Sequence, residues 1–254
     1  MTKARVKTPL ELAFDSVALE CGGHITSDLH PYQQRRATGD PPDDADYFFP
    51  RANTLAELKR LGADTFALVN DPRIVEMSAR WIRSGLIGPP RSKHFKWHLP
   101  ELPEPCQREA IAFFRRPIRR VVKKANAQIK QTKAILALPD CTNGLLLLAS
   151  DGNTVLDPQS VIILLARTFA EAHFRSVHSL VYFNYTNFAD SPAMNSDVIF
   201  WIHSDIREPG VPESLLHGLE GCWSRLIQAR HRRTMQRVAG NETLLADLNF
   251  RTRN

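Results

Sequence analysis

Residues 46–59 read DYFFPRANTLAELK, and this stretch decides how the rest of the chain is understood. Tyr47, Phe48 and Phe49 form a run of residues that favour extended backbone. Pro50 to Asn53 supply turn chemistry, and an extended pattern resumes at Thr54. The stretch therefore predicts a β-hairpin. Side chains alternate faces along a strand, so Glu57 and Lys59 fall on one side of the sheet and Leu58 on the other. Asp46 stands at the mouth of the first strand, across the hairpin from Glu57 and near enough for the two carboxylates to share a cation.

Working outward, Pro9 with Leu10, Leu12, Ala13, Val17 and Leu19 reads as an amphipathic first helix stopped by Gly22 and Gly23. Residues 24–45 are expected to be mostly loop, with a strand start near Gly23 to Thr26. Asp71 and Pro72 open a helix that ends at Gly85, and residues 89–105 form a proline-rich connection. Pro117 is expected to open a helix reaching about Lys133. Gly144 to Ser150 suits a strand buried on both faces. Asp157 and Pro158 cap a further helix, strands follow at 177–185 and 198–203, and a long or broken helix begins at Pro212.

Strands and helices alternate from the hairpin onward, which predicts an α/β fold with a mixed central sheet flanked by helices. The expected organisation is a single domain over 1–254, with a helical, proline-rich insertion or connecting segment at 71–116 and a C-terminal helical region at 212–254.

The 254 residues are 43% hydrophobic, ample for a buried core. The four cysteines, Cys21, Cys106, Cys141 and Cys222, make no CxxC pair and fit free thiols in a reducing compartment. The N-terminus has no apolar core or cleavage site of a signal peptide, and the longest apolar runs are far short of the ~20 residues that cross a bilayer. A cytoplasmic location without a membrane partner is the expectation, and a homo-oligomer is compatible with the sequence. Net charge is +6. Arg116, Arg120, Lys123, Lys124 and Lys130 crowd one predicted helix and form a candidate nucleic-acid contact, whose ordinary alternative is a solvated helix face.

Phosphodiester hydrolysis needs a divalent cation, an attacking water and positive charge for the developing oxyanion. Asp46, Glu57 and Lys59 supply the residue types for all three. Mg²⁺ prefers oxygen ligands and keeps several waters, so one or two carboxylates with a backbone carbonyl and a substrate phosphate suffice. Glu57-Leu58-Lys59 is the chain's single acidic-x-Lys triplet.

With its Asp-led aromatic strand, its Glu-x-Lys strand and a basic helix beyond them, the chain resembles the PD-(D/E)xK superfamily of restriction-endonuclease-like nucleases. In that superfamily an Asp begins one strand of a hairpin, Glu-x-Lys lies on the next, and a core helix and another strand follow. The resemblance implies a restriction-endonuclease-like core and a Mg²⁺- or Mn²⁺-dependent nuclease acting on DNA. It further implies that Asp46, Glu57 and the Leu58 carbonyl hold the metal while Lys59 orients or activates water. Glu11, on the first helix, and Gln128, on the basic helix, match positions where family members place supporting active-site residues. The family's Pro-Asp pair occurs here as Pro42-Asp43, so Asp43 and Asp44 stand as alternatives to Asp46.

Other constellations are poorer. His94, His98 and Cys106 lie in a proline-rich context that does not bring imidazoles together for zinc. Tyr182, Phe183, Tyr185 and Phe188 fit a core strand better than a base-stacking platform. No GxxxxGK[ST], GxGxxG, GxSxG or HExxH motif occurs. The reading from a different class is a noncatalytic nucleic-acid-binding or scaffold protein on the same fold.

Overall fold

The chain is described by a computed structural model at residues 7–37, 44–62, 72–89, 98–151, 156–171, 173–185 and 200–231. Its first helix, α1 (Pro9–Glu20), starts as the sequence prescribes. Thr8 caps it and Pro9 occupies the first turn. The Thr8 and Glu11 side chains each accept the other's backbone N–H, satisfying two donors the helix would otherwise leave open. Gly22, at φ +75°, carries the chain out of the helix into the short strand β1 (His24–Ile25). The segment expected to be loop then holds a helix, α2 (His30–Ala37).

The hairpin forms where it was expected. Strand β2 (Tyr47–Phe49) pairs antiparallel with β3 (Thr54–Leu61), and Tyr47 stands opposite Ala56. Asn53 makes the turn at φ 45°, a left-handed conformation that Asn tolerates better than most residues. Beyond the hairpin lie α3 (Pro72–Arg83), α4 (Glu104–Ile135), β4 (Asn143–Ser150), α5 (Pro158–Glu171), β5 (Ser179–Asn184), β6 (Trp201–Asp205) and α6 (Glu213–His231). Asp157 caps α5 by accepting the Ser160 N–H at 3.0 Å.

The six strands make one sheet in sequence order, β1 to β6. Pairing is antiparallel among β1, β2 and β3, parallel from β3 through β5, and antiparallel again at β6. The fold is thus α/β with a mixed sheet. On one face Leu55, Leu61, Leu146, Leu148, Leu180 and Tyr182 pack against α3, α4 and α5. On the other, Ala56, Leu58, Leu145, Leu147, Val181 and Phe183 pack against α1 and α6. Strand β4 is buried along its whole length because helices cover both its faces.

The helix expected to open at Pro117 begins thirteen residues earlier, and Pro117 lies inside α4. A proline there forfeits one backbone hydrogen bond and costs ~3 kcal/mol. Cys106, Ala110 and Phe114 before it and Ile118, Val122, Ala125 and Ile129 after it form one buried stripe. Burial of large apolar side chains, worth ~1.5–3 kcal/mol each, outweighs that loss. The segment expected as an insertion thereby contributes Ile74, Met77, Trp81, Leu99, Cys106, Ala110 and Phe114 to the same buried cluster as the sheet. Asp43, Asp71, His94, Phe188 and residues 232–254 lie outside the described residues.

Candidate active site

The edge of the hairpin gathers the polar residues of the predicted constellation. Since Tyr47 pairs with Ala56, the register carried one step further sets Asp46 across from Glu57. The Asp46 carboxylate accepts the Leu58 backbone N–H at 2.8 Å. Glu57 is 1% exposed, and the Lys59 ammonium, 17% exposed, donates to its Oε1. The Leu58 side chain is buried on the opposite face among residues of α1 and α6. The alternation inferred from the sequence therefore holds, with Glu57 and Lys59 in contact and Leu58 serving the core.

Electrostatics mark Asp46 out from ordinary surface carboxylates. Burial pushes its carboxyl up to about 6. The Leu58 N–H and the Lys59 charge work to lower it, while the negative charges of Glu11 and Asp44 work to raise it. Glu11 thus stands within electrostatic reach of Asp46 while its Oε2 accepts the Thr8 N–H at 2.6 Å. Tyr47, next to Asp46, donates to Asp15 Oδ1 at 3.1 Å, and burial raises its phenol well above the usual range.

A buried brace fixes the loop that carries Asp46. Gln128 Nε2 donates to the Asp44 carbonyl at 2.9 Å. The Ala45 N–H donates to Thr132 Oγ1 at 2.8 Å, Thr26 Oγ1 donates to the Ala45 carbonyl, and the Thr26 N–H donates to the Asp46 carbonyl at 3.0 Å. Of the two described aspartates, Asp44 gives its carbonyl to Gln128 and Asp46 brings its carboxylate onto the Glu57-Leu58-Lys59 strand. Thr132 and Thr26 were not among the sequence candidates. Their signal was faint: Gln128 and Thr132 are polar residues one turn apart on the buried side of α4.

The five basic candidates on α4 are all exposed. Helical periodicity places Arg116, Arg120, Lys123 and Lys130 opposite the buried stripe of Ile118, Val122, Ala125 and Ile129. Lys124 lies one turn before Gln128, on the flank that reaches the Asp44 loop.

As a metal site, the donor set is chemically suited to Mg²⁺ or Mn²⁺. It offers hard carboxylate and carbonyl oxygens, and a carboxyl whose charge is held back by burial and acidic neighbours. Among the described residues no group of three or more His, Cys, Asp or Glu side chains forms a ready metal cage. A site that leaves most positions to water and phosphate needs only two carboxylates. Of the zinc alternative, His98 is 3.1 Å from the Asp157 carboxylate and Cys106 is buried in the apolar stripe of α4. Tyr182, Phe183 and Tyr185 are buried, as a core strand requires. Among the described residues no helix is long and apolar enough to cross a membrane.

No protein-family description, curated protein or solved structure matches this chain.

Proposed function

We propose that this chain is a Mg²⁺- or Mn²⁺-dependent nuclease of the PD-(D/E)xK type that hydrolyses phosphodiesters in DNA. The observation that carries the reading is the meeting of Asp46 with Glu57-Leu58-Lys59 at the hairpin edge, where the Asp46 carboxyl is raised to about 6. A buried carboxyl raised well above its usual range beside a second carboxylate and a lysine is the kind of electrostatic setting in which functional sites cluster. The element order supports the same reading. With α2 between β1 and β2 and α3 after β3, α1 precedes three antiparallel strands, and α4 crosses to β4, which pairs parallel with the Glu-x-Lys strand.

Asp46, Glu57 and the Leu58 carbonyl would hold the ion, which when bound supplies positive charge at the scissile phosphate and acidifies a water. Glu57 holds the Lys59 ammonium at the sheet surface, where it donates a hydrogen bond to the attacking water or to a phosphate oxygen. Gln128 and Thr132 keep the Asp46 loop in register with β3. The exposed cations of α4 bind flanking phosphates without reading sequence.

A second reading, a noncatalytic nucleic-acid-binding or scaffold protein, is favoured by one observation. Asp46 and Glu57 already have the Leu58 N–H and Lys59 as partners, as a site without turnover would. Labelled single-stranded, duplex and branched DNA incubated with Mg²⁺ or Mn²⁺ separates the two. Cleavage that EDTA abolishes, and that Asp46→Ala, Glu57→Ala and Lys59→Ala each reduce by roughly 100-fold or more, supports the nuclease. Binding without cleavage by the wild-type protein supports the second reading.

A further inference from the structure

The C-terminus of α1 and the middle of α6 bring together two sulfurs from distant parts of the chain. Cys21 Sγ lies 3.1 Å from Cys222 Sγ, although 201 positions separate them. Arg225, one turn beyond Cys222, places a guanidinium nitrogen 3.2 Å from Cys222 Sγ and pairs with Glu20, the neighbour of Cys21. The sulfur pair is thus bracketed by an ion pair joining the same two helices. Cys21 is half-buried, while Cys222 is buried. The other two thiols have no such setting: Cys106 is buried in the opposite cluster and Cys141 is exposed.

We propose that Cys21 and Cys222 form a reversible redox site, a dithiol that a hydroperoxide converts to a disulfide tethering α1 to α6. The Cys222 sulfur, beside the Arg225 guanidinium, attacks the peroxide oxygen and gives up its proton to the departing oxygen. The O–O bond breaks, an alcohol or water leaves, and Cys222 becomes a sulfenic acid. The Cys21 sulfur then attacks Cys222, the S–O bond breaks, and the departing hydroxide takes the Cys21 proton as water. The two thiols lose two electrons and the peroxide gains them. A small dithiol reverses the reaction by exchange. Burial and the neighbouring Cys222 push the Cys21 thiol up to about 12, so in the resting pair Cys21 keeps its proton and donates it in a hydrogen bond to Cys222.

The link would close a loop of about two hundred residues around the α1–α6 layer, where Phe14 and Trp223 already stack at 5.7 Å between ring centres. Closing so long a loop restricts the unfolded chain strongly and is expected to raise the thermal midpoint by about 5–10 °C.

The test treats the full-length protein with stoichiometric hydrogen peroxide, blocks remaining thiols by alkylation, and maps peptides without reduction. The expected result is a Cys21–Cys222 cross-linked peptide that dithiothreitol removes, together with the raised thermal midpoint. In Cys21→Ser both disappear. The mapping needs only wild-type protein, so a poorly folding variant does not weaken it. The proposal is overturned if Cys21 and Cys222 both remain open to alkylation, if the cross-links join only Cys141 of separate molecules, or if Cys222 proceeds to a sulfinic acid without a cross-link.

Discussion

The Asp46 carboxylate reaches across the hairpin to the backbone N–H of Leu58, the residue between Glu57 and Lys59, at 2.8 Å. This one bond ties the loop before β2 to the strand that carries the other two candidate catalytic side chains. It also places Asp46 where burial and the charges of Glu11 and Asp44 oppose its ionisation. The site accordingly holds a carboxylate at some cost to the fold, as functional sites commonly do.

That cost has a definite pH dependence. The Asp46 carboxyl titrates near 3.8 when unperturbed and at about 6 in the native protein. Its contribution to stability is therefore full below about 3.8 and is lost as pH rises through 6. Asp46→Asn keeps an oxygen for the Leu58 N–H and removes the titration. It should match wild type near pH 4 and exceed it by about 1–2 kcal/mol at pH 8, allowing for the part of the side chain that meets solvent. Denaturant midpoints across that range check this. Mg²⁺ should narrow the gap at pH 8 by stabilising the wild-type protein alone.

The brace behind Asp46 makes a separate prediction. Thr132→Val keeps the volume but deprives the Ala45 N–H of its acceptor, costing about 1–3 kcal/mol. Because the loop carries Asp46, DNA cleavage should fall about tenfold or more. Thr132→Ser should restore both properties. A Thr132→Val protein that is destabilised yet cleaves normally would make the brace structural only.

The α4 cations should differ among themselves. All five are exposed, so alanine at each should leave the thermal midpoint unchanged within a degree or two. Each residue that meets a phosphate should, when removed, weaken DNA binding and reduce the salt slope by about one. Lys124, on the Gln128 flank, should show this effect most strongly, and Arg116 least. A salt slope untouched by all five replacements would leave the row as a solvated face.

At the start of β4 the backbone leaves no room for a side chain. A Cβ on Gly144 would lie 1.8 Å from the Ser176 carbonyl oxygen, while the Gly144 N–H donates to His178 Nδ1 and its carbonyl accepts the His178 N–H. Gly144→Ala must displace the 176–178 segment and should cost about 3 kcal/mol. Gly88→Ala, which meets nothing within 4 Å, is the control and should be near neutral.

Much of the hairpin and its surroundings was legible in the chain because local rules governed it. Thr8, Pro9 and Glu11 specify the start of α1, Asn53 accepts the left-handed turn, and strand alternation sets Glu57 with Lys59 and turns Leu58 away. The uninterrupted apolar run of β4 announced a strand covered on both faces. What the sequence by itself determined, then, is the α/β class, the hairpin and the facing of its Glu-x-Lys side chains, since each follows from neighbours a few residues apart. Tertiary structure alone decided that α4 passes through Pro117, that the Asp46 carboxylate accepts the Leu58 N–H, that Thr132 and Thr26 hold that loop, and that Cys21 meets Cys222. Those outcomes depend on burial and hydrogen bonding between segments far apart in the chain, which no local pattern encodes.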